Sequence, residues 1–431
     1  MAAYIIAALI LSACFYLAIG LRQAYRTRTL SDMVPVRRGH KAAVETAGEL
    51  SASTVAATIS LATVVMAFFE LAPYLGIWLL WTVVTTALGL IVVRVAARRI
   101  WAKLLPYGQR IPTLHEFLGV EYASRPLAAV GAACTSLGFL GAFAVELTVG
   151  SRFFASLVPG ISPLAMVIII GVVVLLYTSA GGFRAVVQTD WYQMKAIWLL
   201  LMVLSLYYVI SVLSGPGLAA AWQRVPRTIW DFSYREGLWA FLVGIAVINI
   251  PTYLSDMSLW QRVASSREPE SVYSGLTWSV VSASVTWSVF AVLACLVPMI
   301  VTSDGQENPL ITLVRHIGTE GSTFSQAVLF LTVVGLYAAS LSTGSTQLIA
   351  LSHAIYEDLL QGDDVGSMLE RSESPKALWA SRAVLLVSSI AAMILVEVLS
   401  ALGFTVADLV FAIYGGQLSL FAPGVIALTM S

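Results

Sequence analysis

The sequence is short of charge. Only 11% of its 431 residues are Asp, Glu, Lys or Arg, against roughly 25% in an average soluble domain. Basic and acidic residues balance at 24 each, and no basic patch interleaved with aromatics occurs, so nucleic acid is not an expected partner. The three cysteines, Cys14, Cys134 and Cys295, all lie in apolar segments, which excludes a disulfide framework. The four histidines, His40, His115, His316 and His353, stand apart, and no pair has metal-ligand spacing. No nucleophile–base pair and no phosphate loop has workable spacing. Covalent chemistry and an organic cofactor are therefore not expected, nor is the chain expected to be an enzyme.

Apolar side chains are abundant instead, at 58%. Residues 164–180 and 197–213 contain no charge at all, and each is about long enough to cross a hydrocarbon core of ~30 Å. The composition predicts an all-α polytopic membrane protein. About eleven transmembrane helices are expected, at 3–22, 47–69, 74–100, 126–157, 162–178, 189–213, 238–260, 273–301, 326–360, 377–400 and 404–430. The first apolar stretch lacks a basic leader and a small-residue cleavage site before Arg22, so it reads as a membrane helix and not as a signal peptide.

Lys and Arg are distributed unevenly between the connecting loops. Arg22, Arg26, Arg28, Arg94, Arg98, Arg99 and Arg262 belong to the strongly basic side, while Arg152, Arg224, Arg227, Arg235 and Arg315 fall on the other. The basic side is expected to face the cytoplasm, which puts the N-terminus outside a cell (inner) membrane and the C-terminus inside. Residues 1–46 then form an extra first helix with its loop. Residues 47–213 and 238–431 form two five-helix sets of opposite orientation, joined by an external loop at 214–237. That layout is an inverted repeat, in which a ligand site forms at mid-membrane where the first helix of each half breaks. In the second half Pro251 is the expected break, flanked by Asn249, Thr252 and Tyr253. In the first half residues 56–63 carry Thr58, Ser60 and Thr63 but no Gly or Pro, so nothing local forces a break.

Residues 338–346 place five hydroxyls and one glycine in an apolar stretch. Ser342, Ser345 and Thr346 share a helix face. Two readings fit: a small-residue packing face with back-bonded hydroxyls, or oxygen ligands for a hard cation. Glu146 stands alone as a carboxylate in the middle of its apolar helix, a functional candidate by position.

The run Tyr177-Thr178-Ser179-Ala180-Gly181-Gly182-Phe183-Arg184-Ala185-Val186-Val187-Gln188-Thr189-Asp190-Trp191-Tyr192-Gln193 resembles the signature of the solute:sodium symporters. Weaker matches follow that family's order: residues 111–117, residues 255–262 and the hydroxyl-rich helix 338–358. The resemblance implies the inverted-repeat fold of the leucine transporter with one helix in front. It also implies Na⁺-coupled symport of a small organic solute by alternating access. Carried over by position, a first sodium site would use carbonyls of Ala56, Ile59 and Ala339 and hydroxyls of Ser342 and Thr343. A second sodium would use Asp190, Ser345 and Thr346 with Ser342, although Thr189-Asp190 also reads as a helix cap.

The family's solute pocket would fall on Thr58, Ser60, Thr63, Trp78, Thr82, Phe143, Asn249, Tyr253 and Gly415, with Glu146 as a partner for a substrate amine. These positions offer few partners for a buried hexose. The resemblance leaves two alternatives open: a proton-coupled relative with Glu146 as carrier, and a symporter-like sensor module of a signalling protein. The chain stops at Ser431, where family members usually continue; this fits a truncated or fragmentary chain, and equally a module that leads into something else. The identity of the solute and the oligomeric state are not legible.

Overall fold

The computed structural model describes residues 1–28, 30–34, 37–38, 41–107, 112–233, 236–302, 307–361, 375–402 and 418–429. Apart from a two-residue ladder pairing Arg37–Arg38 with Lys41–Ala42, the described elements are helical. The all-helical expectation is borne out.

Helix α1 is Ala2–Ala24. The first broken helix comprises α2, Ala47–Thr58, a π-helical stretch Leu61–Met66, and α3, Ala67–Leu75. Then come α4, Leu80–Leu104, the short α5, Leu114–Glu121, and α6, Arg125–Leu157. Helix α7, Pro163–Ser214, is followed by α8, Leu238–Ser255, and α9, Met257–Ala264. The remainder are α10, Pro269–Leu296; α11, Pro309–Thr319; α12, Thr323–His353, which runs on as a π-helix Ala354–Leu360; α13, Pro375–Leu402; and α14, Phe421–Thr429.

Local chemistry sets several starts. The side chains of Thr46, Ser124, Ser162 and Ser322 each accept the backbone N–H three residues ahead, and Pro163 stands at the first turn of α7. Between caps the helices are apolar on most faces. Leu11, Val95, Leu137, Met202 and Leu213 are more than half exposed, which in a helix apolar all round is a lipid-facing surface.

Among the described residues eight stretches are long and apolar enough to cross a membrane. Two of them are too long for one crossing. At ~1.5 Å per residue α7 would reach about 78 Å, more than twice a bilayer core. Gly182, at φ 62 and ψ −158, interrupts it, and Gly76, at φ 55, separates α3 from the helical turn before α4. The last expected helix, 404–430, lies mostly outside the described residues.

Both helices expected to open the two halves are interrupted, though not as expected. Pro251 sits inside α8, and the helix continues to Ser255. The break falls at Asp256 (ψ 112), whose carboxylate accepts the N–H groups of Ser258 and Leu259 and so begins a new helix, α9. Proline removes one donor but leaves the helical path open, whereas a capping carboxylate stabilises the start of another helix. In the first half, where no Gly or Pro stands, the chain leaves the helix at Ile59 and Ser60.

Gly182 has positive φ, and a Cβ there would meet backbone atoms of Met33 at 2.6 Å. Gly217 has positive φ and open space around it. Both Ala substitutions incur strain of about 1–3 kcal/mol, but only Gly182→Ala adds a backbone collision. Thermal unfolding in detergent should show Gly182→Ala melting clearly below Gly217→Ala.

Candidate functional site

The break in α2 leaves backbone groups that must be satisfied without water. On its far side Glu146, from α6, is the partner. Its Oε2 accepts the Ser60 hydroxyl at 2.5 Å, Oε1 accepts Leu61 N–H at 3.1 Å, and Oε2 lies 3.4 Å from Ala62 N. Ser60 Oγ in turn accepts Thr63 N–H at 2.8 Å. On the near side the partner is α12. The Ser342 hydroxyl lies 2.9 Å from the Ala56 carbonyl and 3.0 Å from that of Ala339, and Thr343 Oγ1 lies 3.5 Å from the Ala57 carbonyl. Three members of the first expected sodium set, Ala56, Ala339 and Ser342, thus meet, while Thr343 turns to the neighbouring Ala57 carbonyl; all four are buried. Ile59 is the cap residue at the end of α2, also buried.

The second expected set is organised by a residue that sequence reasoning assigned to a loop. Arg262, on α9, is 1% exposed. Its Nε donates to Ser53 Oγ at 2.7 Å, Nη1 to the Ser258 carbonyl at 2.9 Å, and Nη2 to Asp190 Oδ2 at 3.0 Å and Thr346 Oγ1 at 2.7 Å. Ser53 donates onward to Asp190 Oδ2 at 2.5 Å. Asp190 is therefore the counter-ion of a buried guanidinium, and its Oδ1 has no hydrogen-bond partner. Ser345 donates to the Ser342 carbonyl of its own helix at 3.2 Å. The one sequence hint was the Gln261-Arg262 pair closing the 255–262 match; the buried carboxylate that holds it is 72 residues away.

Between the two breaks lies a cavity of about 200 Å³. Of the expected solute positions, Thr58, Ser60, Thr63, Thr82, Asn249 and Tyr253 line it. Trp78 does not; it packs edge-on to Phe232. Phe143 is fully buried against Gly344, and Phe139, one turn earlier, reaches the wall instead. Glu146 is absent from the wall because its oxygens turn to the break. Gly415 lies outside the described residues. The wall also holds Thr252, beside the expected break, Asp256 and Arg262, within the 255–262 match, and Phe68, Trp287 and Gln347, which no motif marks. Close approach of α4 to α8 shapes this wall: a Cβ on Gly89 would meet Tyr253 at 2.4 Å and the Asn249 carbonyl at 2.6 Å.

Beyond Arg262 a second buried network pins α5. His115 Nδ1 lies 2.8 Å from Asp358 Oδ2 and Nε2 lies 2.8 Å from Thr135 Oγ1, while Thr113 donates to Asp358 Oδ1 at 2.7 Å. It joins α5, α6 and the π-helical end of α12.

No protein-family model and no curated protein sequence matches the chain. Solved structures do. A substrate-bound, outward-open Na⁺-coupled sialic acid symporter superposes with a TM-score of 0.77 at 19% identity, over 98% of this chain and 86% of that one. The chain has the leucine-transporter fold. A manganese transporter mutant from Eremococcus coleocola matches more loosely, with a TM-score of 0.50 at 18% identity, over 93% of this chain and 81% of that one. Residues of both interrupted helices and of the hydroxyl-rich α12 line the one cavity.

Removing one partner of a buried ion pair leaves an uncompensated charge, at a cost of about 3–5 kcal/mol. Arg262→Ala should therefore lower the melting temperature sharply. Adding Asp190→Ala should recover part of the loss, by about 0.5–3 kcal/mol of coupling. A double-mutant cycle by thermal unfolding reads both.

Proposed function

We propose that the protein is a secondary active symporter that couples a small organic solute to Na⁺ by alternating access in a cell (inner) membrane. The observation that carries the reading is the Ser342 hydroxyl bridging the carbonyls of Ala56 and Ala339. It brings oxygens of a broken helix and a hydroxyl-rich helix to one point, with no cationic side chain among the bonded groups. Oxygen ligands without nitrogen or sulfur suit a hard monovalent cation. The first Na⁺ would sit between Ala56, Ile59 and Ala339 carbonyls and the hydroxyls of Ser342 and Thr343.

Binding there would tie α2 to α12. Because the first broken helix also forms the cavity wall through Thr58 and Ser60, ion occupancy and solute occupancy favour the same conformation, and each raises the affinity for the other. Release on the low-Na⁺ side resets the cycle. No covalent step is involved. The hydrogen bonds from Thr113 and His115 to Asp358 hold α5 against the end of α12, a closed arrangement on the side expected to be cytoplasmic. The resemblance to the sialic acid symporter in fold supports the reading.

A second Na⁺ at Asp190, Ser345 and Thr346 would have to share Asp190 with Arg262. Its Oδ1, buried without a hydrogen-bond partner, is the oxygen such an ion would use. A proton-coupled cycle through Glu146 draws no support from the site, since both oxygens already accept hydrogen bonds at the break.

Na⁺, and not K⁺, should raise the melting temperature of the purified protein in a saturable way. Ser342→Ala with Thr343→Ala should move the half-effective Na⁺ concentration up by about tenfold or more, equivalent to roughly 1.4 kcal/mol of ion binding. Solute uptake into proteoliposomes should collapse when the inward Na⁺ gradient is removed. Equal responses to Na⁺ and K⁺ would sink the coupling and leave the fold untouched.

A further inference from the structure

Helices α1 and α7 touch along one side and part along another. Where they touch, a Cβ on Gly20 would meet Tyr177 at 2.5 Å, and one on Gly181 would meet Gln23 at 2.8 Å. Gln23 Nε2 donates to Gln188 Oε1 across the same contact. Beside this glutamine pair the two helices enclose a cavity of about 260 Å³.

The α1 wall is a stripe. Ile19, Arg22 and Arg26 recur at i, i+3 and i+7, and Phe15 stands one turn before Ile19 on the same face. The chain is still turning helically at Arg26, whose N–H bonds the Gln23 carbonyl at 2.8 Å. On α7 the wall is Gln188, Trp191 and Tyr192. Lys195 follows one turn past Trp191. Helical side chains lean toward the helix N-terminus, and Lys195 Nζ lies 4.5 Å from the Trp191 ring centre and 5.4 Å from that of Tyr192. Three cations from two helices, Arg22, Arg26 and Lys195, thus gather around one cavity.

Among the described residues none forms an ion pair with these three. Glu49 is the one carboxylate in the described wall, and both of its oxygens are committed. Arg184 donates to Oε1 at 3.0 Å and to Oε2 at 2.9 Å, and Glu45 N–H donates to Oε2 at 2.8 Å. Gln188, whose oxygen is taken by Gln23, adds an amide donor. Away from the cavity the surface turns apolar. Leu11, Phe15 and Tyr192 are exposed, and Phe15 packs edge-on to Tyr192 with ring centres 5.3 Å apart. Lipid-facing side chains, then a Trp and a Tyr, then unpaired cations follow the order in which a phospholipid presents its acyl chain and its phosphate. The positive-inside bias accounts for cations on this side of the membrane. It does not account for their gathering on one cavity whose carboxylate is already spent.

We propose that this cavity holds the headgroup of an anionic phospholipid, with its phosphate among Arg22, Arg26 and Lys195 and its acyl chain along Leu11, Phe15 and Tyr192. A phosphate accepts several hydrogen bonds at once, which suits two guanidinium groups and an ammonium. A lipid so placed bridges α1 to α7. The site lies apart from the cavity between the two helix breaks and does not depend on how that cavity is read.

The test is thermal unfolding of the full chain in detergent micelles doped with lipid, at a salt concentration of about 150 mM. Dioleoyl phosphatidylglycerol should raise the melting temperature saturably, by about 2 °C or more over dioleoyl phosphatidylcholine. Equal responses to the two lipids overturn the proposal. Arg22→Gln with Arg26→Gln should raise the half-effective fraction of phosphatidylglycerol by about tenfold or more, while Arg98→Gln with Arg125→Gln, which removes two cations from the same basic side, should move it by less than about twofold. Equal shifts in the two variants mean diffuse surface charge and overturn the site. Glycerol 3-phosphate and inorganic phosphate are added alone as soluble probes. A stabilisation by either that matches phosphatidylglycerol assigns the cavity to a free phosphate and overturns the lipid. Native mass spectrometry of the wild type should show phosphatidylglycerol retained over phosphatidylcholine from an equal mixture; no preference overturns the proposal independently of any variant.

Discussion

A helix interrupted inside hydrocarbon must find partners for every backbone group the interruption frees, because no solvent is there to provide them. That requirement governs the centre of this protein. At Ile59 and Ser60 the chain leaves the α-helical path. The N–H groups beyond the break go to a carboxylate on α6, and a carbonyl before it, Ala56, meets a hydroxyl on α12. Three helices distant in sequence are thereby held at one level, and the cavity takes its shape from them. Leu61–Met66, just past the break, runs as a π-helix, a local unwinding common at functional sites.

The second break follows the same physics with a different partner. Asp256 caps α9 with its own side chain, and the short helix that results carries Arg262 inward to Asp190. A buried guanidinium is tolerated because a carboxylate, two hydroxyls and a carbonyl receive its N–H groups. Thr346 belongs to that network, and Ser342, one helical turn earlier, belongs to the other. Helix α12 thus touches both breaks, and its π-helical end reaches His115 and Thr113 through Asp358. A tilt of α12 would be felt at the Ser342–Ala56 contact, at the ion pair and at α5 together.

Much of the architecture was legible because it is written in composition and short-range chemistry. Charge-free runs mark helices, and the Gly181-Gly182 pair stands between the two expected at 162–178 and 189–213, where α7 is kinked. The hydroxyls of α12 were legible as a cluster. The cavity positions Thr58, Ser60, Thr63, Thr82, Asn249 and Tyr253 came from resemblance and line the wall. What was not legible depends on partners far along the chain. Pro251 carries the strongest local break signal and lies within a helix, while Ser60 carries almost none and stands at a break. The difference is Glu146, 86 residues away. Arg262 reads as one more loop cation until Asp190 is seen beside it.

The sequence by itself determined that the chain is a helical membrane protein, because apolar content and missing charge leave no soluble alternative. It also determined which helix is rich in hydroxyls, since hydroxyls in an apolar run are visible without coordinates. Only the tertiary structure decided where the helices break, which charges are buried, and which way the cavity's hydroxyls point. Those depend on hydrogen bonds between segments far apart in the chain. A hydroxyl's role as donor or acceptor, and a carboxylate's as ligand or cap, is set by the groups packed against it.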